Sequence, residues 1–240
     1  MRRLLPGLAL VVPLVLAGCG DDGADAEPGP ARSSSPTSPS LCPDSGDLGP
    51  VTRQADLDGD GSDEAVGYLD AAACPDGPAL SADVDGHVVT VRVENELPVT
   101  RHDLKVVQIP GREGEVLLIT PHHPRGGFQA RLFGYADGEL AELTVDGQPI
   151  FPFVATDATT TPLSARCIPG GFELLEAEAH EPIGILAAWD VFRTAYRVDG
   201  NAVTKAERTE IADNVLDEEL SREYRPLTKY RLFENCLVAR

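Results

Sequence analysis

The sequence predicts an all-β domain: three β-meander repeats in a propeller-like array, with one short helix near the C-terminus. Three observations carry this. Short apolar runs alternate with polar residues, as in Val89, Val91 and Val93, and turn residues drawn from 23 Gly and 20 Pro separate them. An Asp-Gly pair closes the same strand–turn–strand pattern three times, at Asp85-Gly86, Asp137-Gly138 and Asp199-Gly200. Aromatic residues make up only 5% of the chain, and helical spacing occurs in one stretch after residue 40. A single β-sandwich carrying the same hairpins is the alternative.

In chain order, residues 1–18 read as a secretory signal. Arg2 and Arg3 form a positive start, and the apolar run Leu4 to Leu16 is interrupted by Pro6, Gly7 and Pro13, which makes it too broken for a stable membrane-spanning helix. The run ends in Leu16-Ala17-Gly18-Cys19, which resembles the lipobox of bacterial lipoproteins. That resemblance implies that Cys19 becomes a lipidated N-terminus and that the protein is exported and held on the extracytoplasmic face of the cell membrane. Acyl chains contribute about 0.8 kcal/mol per buried CH₂, so the anchor would be hydrophobic rather than electrostatic. Residues 19–40 follow as the lipidated Cys and a tether dense in Gly, Pro, Ser and Asp, with no apolar side chain larger than Ala after Cys19. Such a composition cannot bury enough surface to offset the entropy of ordering.

Residues 41–240 form the β-repeat domain. The first unit runs through Glu64–Leu69, Ala79–Val84, the Asp85-Gly86 turn and His87–Val93. The second runs through Glu115–Thr120, Gln129–Tyr135, the Asp137-Gly138 turn and Glu139–Val145. The third runs through Phe172–Ala177, Asp190–Val198, the Asp199-Gly200 turn and Asn201–Arg208. A closed propeller has roughly four to eight blades. Three units therefore predict an open array, or a compact β domain that draws its closing strand from residues 225–238. The stretch Ile211 to Glu223 places Val215, Leu216 and Leu220 on one helical face, and Pro226 is expected to end that helix.

The segment Asp56-Leu57-Asp58-Gly59-Asp60-Gly61-Ser62-Asp63-Glu64 stands immediately before an apolar strand. Carboxylates at positions 1, 3 and 5 can point to one centre, glycine at 6 allows a sharp turn, and position 7 can offer a backbone carbonyl. The pattern resembles the calcium loop of FG-GAP or VCBS repeats, the blades of integrin-α-like propellers. It implies one structural Ca²⁺ held by Asp56, Asp58, Asp60 and Glu64 with the carbonyl of Ser62. An EF-hand would need Glu at position 12, where this chain has Gly67. The corresponding places in the later units, Gly111-Arg112-Glu113-Gly114 and Pro169-Gly170-Gly171, lack the ligands.

Four further cysteines, Cys42, Cys74, Cys167 and Cys236, allow three connectivities in an exported protein. Local pairing, Cys42 with Cys74 and Cys167 with Cys236, is expected because each pair flanks one unit. The net charge is −19, from 39 acidic and 20 basic residues, so the field of the protein repels phosphate backbones and no nucleic-acid partner is expected. No GxSxG, SxxK, HExxH or CxxC motif is present. His122-His123 reads as a loop surface and Trp189 as core. The expected function is therefore non-catalytic: a lipid-anchored envelope protein whose calcium-stabilised repeats present loops to an envelope protein or a glycan. A surface hydrolase using carboxylates and a structural surface module without specific ligand are the rivals.

Overall fold

The computed structural model describes residues 42, 48–94, 97–123, 126–154, 162–179 and 188–239. The chain divides into the units Met1–Ser38 and Pro39–Arg240, and the described residues belong to the second. The signal, the lipobox with Cys19 and the tether lie outside them.

Three antiparallel sheets carry the fold. Sheet I is the meander β1 (Val51–Ala55), β2 (Glu64–Leu69), β3 (Ala79–Val84) and β4 (His87–Arg92). Sheet II is the meander β5 (Leu104–Val107), β6 (Val116–Ile119), β7 (Arg131–Ala136) and β8 (Glu139–Glu142), followed by the two-stranded ribbon β9 (Thr144–Val145) and β10 (Gln148–Pro149). Sheet III is β11 (Leu163–Ile168), β12 (Gly171–Ala179), β13 (Ala188–Asp199) and β14 (Ala202–Lys205), with β15 (Thr209–Leu216) pairing the first half of the long β13. The fold is all-β, with three four-strand meanders as its repeating element in place of a single sandwich.

Turn chemistry builds the hairpins. Asp85 and Asp137 sit at φ 53° and 54°, each followed by a glycine in the same left-handed region, at 76° and 82°. Two consecutive positive φ values define the tight turn whose twist matches the flanking strands, and Asp-Gly tolerates it best.

Packing places sheet II in the middle. Every residue of β6 is fully buried: Leu117 and Ile119 pack with Val66, Tyr68 and Leu80 of sheet I, while Val116 and Leu118 pack with Leu163, Phe172 and Leu174 of sheet III. A strand covered on both faces reads as a continuous apolar run, as Val116–Ile119 does. Like strands meet across the first junction, β1 with β5 and β4 with β8. The two principal core clusters join I to II and II to III, and among the described residues no core cluster joins I to III.

The C-terminal region differs in part from expectation. Residues 209–216 are a strand, because the first half of β13 leaves an edge that β15 fills, with Asn214 at φ 53° beside register shifts in the pairing. The helix α1 is confined to Asp217–Glu223, where three acidic residues in the first turn complement the helix dipole. Pro226 does not end it. Proline stands instead in the first turn of a second short helix, α2 (Arg225–Thr228), a position where its missing N–H costs nothing. Leu220 and Leu227 cover Ala177, Val191 and Val215 on the outer face of sheet III. Trp189 is half-buried at that face, and its indole N–H donates to Asp217.

Residues 231–238 then fill the seam between β5 and β11. Val238 N–H donates to Val106 O and Gln108 N–H to Cys236 O, both at 2.9 Å. On the other side Ala165 N–H donates to Arg231 O at 3.0 Å and Phe233 N–H to Ala165 O at 2.7 Å. The side chain of Asn235 bonds both the N–H and the C=O of Cys167, each at 3.0 Å. Disulfides join Cys167 to Cys236 across this seam, and Cys42 to Cys74 beside Leu69 and Ala79.

Candidate metal centre

Loop 56–63 connects β1 to β2, and its glycines set its shape. Gly59 and Gly61 take φ values of 81° and 91°, which turn backbone N–H groups toward the carboxylates. Gly59 and Gly61 donate to Asp56 Oδ1 and Oδ2 at 2.8 and 3.2 Å, Asp60 to Asp58 Oδ1 at 3.0 Å, and Ser62 to Asp60 Oδ1 at 2.6 Å. Glu64 opens β2 with its carboxylate turned inward, 8% exposed, and accepts the Leu57 N–H at 2.6 Å.

The carboxylates gather in two overlapping trios. Oxygens of Asp56, Asp58 and Glu64 lie within 4.8 Å of one another, as do oxygens of Asp58, Asp60 and Asp85. Three of the four side chains expected to share a centre therefore converge. Asp60 lies with Asp58 and the Asp of the first hairpin turn. Ser62 is held to Asp60 through its N–H.

The neighbourhood is strongly negative. Burial pushes the Glu64 carboxyl above the usual carboxylate range, and the charges of Asp58, Asp56 and Asp60 push the same way, against the bond from Leu57. Glu115 is raised by burial and by Asp56, against the bond from the Asp56 N–H. The Tyr135 hydroxyl is raised by burial and by Asp58, Asp85 and Glu64. Among the described residues no Arg, Lys or His forms an ion pair with Asp56, Asp58, Asp60, Glu64 or Asp85. An all-oxygen donor set of this kind suits a hard cation such as Ca²⁺.

The loop is also fastened to sheet II. Glu115, 3% exposed, accepts the Asp56 N–H at 2.8 Å and donates its own N–H to Asp56 O at 2.6 Å. The approach needs glycine at 114: a Cβ there would stand 2.0 Å from Leu57 O. The β5–β6 loop in turn meets the β11–β12 turn, where Gly170 N–H donates to Pro110 O at 2.8 Å. The equivalent connections of the three sheets thus stand side by side. Beside them opens a cleft of about 700 Å³ lined in part by Asp58, Arg112, Tyr135, Asp137, Asp199 and Asn201.

Sequence reasoning missed Asp85 and Glu115 as members of the site. Asp85 was visible only as a turn residue, and Glu115 only as the acid that starts the second repeat. His122 lies apart, with Nδ1 3.0 Å from Asp103 Oδ1; Asp103 Oδ2 also accepts the Thr100 N–H at 2.8 Å and hydroxyl at 2.7 Å. Comparison of the chain with protein-family models, with curated proteins and with solved structures finds no match.

Proposed function

We propose that this is a non-catalytic, lipid-anchored protein of the cell envelope. On this reading its β-repeat domain is stabilised by one Ca²⁺ and presents loops to an envelope protein or a glycan. The convergence of Asp56, Asp58 and Glu64, with no basic side chain paired to them among the described residues, carries the calcium part. The three side chains would supply charge-compensating oxygens, and Asp60 would join them by rotating away from Asp85. In a resemblance to FG-GAP or VCBS loops such an ion serves architecture, and the two-way bond between Asp56 and Glu115 gives a route by which it would tighten the junction of sheets I and II. The cleft beside Asp58 is the surface on which a partner with hydrogen-bond donors would find acceptors. Among the described residues no helix is long and apolar enough to cross a membrane, and the anchor in this reading is the acyl group on Cys19.

Thermal unfolding of the full-length protein in calcium, in EGTA and in magnesium tests the ion. An affinity on the order of 10⁻⁴–10⁻³ M is expected, as in extracellular modules. At 100-fold excess calcium would then add about 2.7 kcal/mol, selectively over magnesium and absent in Asp58→Ala. A wild-type midpoint indifferent to calcium defeats this part of the proposal. Anchoring is tested separately: a palmitate analogue fed to expressing cells should label the wild type and not Cys19→Ala, and equal labelling of both would remove the lipid anchor.

A further inference from the structure

The second repeat has no acidic loop, yet it holds a buried cation at the corresponding place. Arg112, in the β5–β6 loop, is 7% exposed, and its hydrogen bonds all run to backbone carbonyls. Nη1 donates to Glu113 O at 2.6 Å, Gly114 O at 2.9 Å and Glu115 O at 3.4 Å. Nη2 donates to Tyr135 O at 2.9 Å, and Nε to Gly200 O at 3.4 Å. The cage is assembled from three parts of the chain: the loop itself, β7, and the β13–β14 turn of sheet III. Glycines make it possible. Gly111 and Gly114 take φ values of 85° and 67°, and a Cβ on Gly134 would stand 2.7 Å from Nη2. A guanidinium stays charged in proteins, so its removal from water must be offset by dipoles or counter-charges. Here carbonyl dipoles do this.

We infer that this loop is a cation site selective for guanidinium, filled by the chain's own Arg112, which fastens sheet II to sheet III in place of a metal ion. The inference stands on the geometry around Arg112 and is independent of whether loop 56–63 binds calcium. Carbonyls face Nε and both Nη atoms, a spread that suits a planar fork and not a compact ammonium. The sheet II–III junction thus carries a cation that no chelator removes.

Emptying the cage in full-length Arg112→Ala tests this. Its thermal midpoint should fall by several degrees, and millimolar methylguanidinium chloride should recover part of the loss. Methylammonium chloride or sodium chloride at equal ionic strength should not, and none of the three should raise the wild-type midpoint. EGTA should leave the recovery unchanged, which separates this result from that of the calcium test. A folded Arg112→Ala that ignores methylguanidinium, or that answers all three salts alike, overturns the inference. Should that variant not fold, nitrogen-resolved NMR of the wild type decides. One guanidinium is expected to exchange its hydrogens slowly, with its signals lost in Arg112→Lys; the absence of any slowly exchanging set in the wild type refutes the cage.

Discussion

Replacing Cys167 and Cys236 by serine is expected to lower the unfolding free energy by about 4 kcal/mol, a large share of the roughly 5–15 kcal/mol available to a domain. The bridge spans 69 residues, and constraint on the unfolded chain grows with the length of the closed loop. It also pins a segment that bonds to both β5 and β11, through the carbonyls and N–H groups of residues 231–238. Without it, Asn235, the backbone bonds and the buried side chains of Leu232 and Phe233 hold that segment. The Cys42–Cys74 bridge closes 32 residues and packs in a small corner cluster with Leu69 and Ala79, so its loss should weaken sheet I locally and leave the central seam intact. Urea unfolding of the two double-serine variants measures both. A Cys167→Ser/Cys236→Ser protein as stable as the wild type would show that the seam holds unaided.

Phe172→Ala is expected to cost about 3–5 kcal/mol, the range for an aromatic core truncation. The ring is fully buried at the start of β12. It stacks on Tyr196 at 4.9 Å between centroids, meets Phe233 edge-on at 5.3 Å, and lies 6.2 Å from Phe151. Those partners come from β13, the C-terminal segment and the stretch after the β9–β10 ribbon, so a single cavity would loosen three attachments together. Phe153→Ala is the control. Its ring is 53% exposed, and removing it should change stability by no more than about 0.5 kcal/mol. Equal losses in the two variants would place the energetic centre of the domain elsewhere.

Local chemistry made part of this fold readable. The Asp85-Gly86 and Asp137-Gly138 hairpins depend on two adjacent residues that accept positive φ, and the strands on either side follow from the turn. The first strand of each sheet was not readable. β1 is five residues long with only Val51 and Ala55 buried. In β5 the two-sided burial of Val106 and Val107 removes the alternation that marks a strand. Residues 211–216 carry helical spacing, but the vacant edge of β13 is a tertiary feature that no local pattern announces, and pairing overrode propensity there. The same division holds at the candidate metal centre. Asp56, Asp58 and Glu64 were readable because their spacing within one loop brings them together. Asp85 and Glu115 reach the loop only through the packing of a hairpin turn and of a second sheet against it.

The seam filled by residues 231–238 bears on when the domain can finish folding. A chain that emerges from its N-terminal end exposes the edges of β5 and β11 as soon as their sheets form, and each edge is a row of unpaired N–H and C=O groups open to a neighbouring molecule. Neither is covered by residues 231–238 until that segment, which follows β15 and α2 in the chain, has been made. The pairing is also remote in sequence, and such contacts form slowly because their loop entropy is lost before they return anything. Docking of residues 231–238 is thus the step that covers both edges, and until it occurs those edges are open to pairing with a neighbouring molecule.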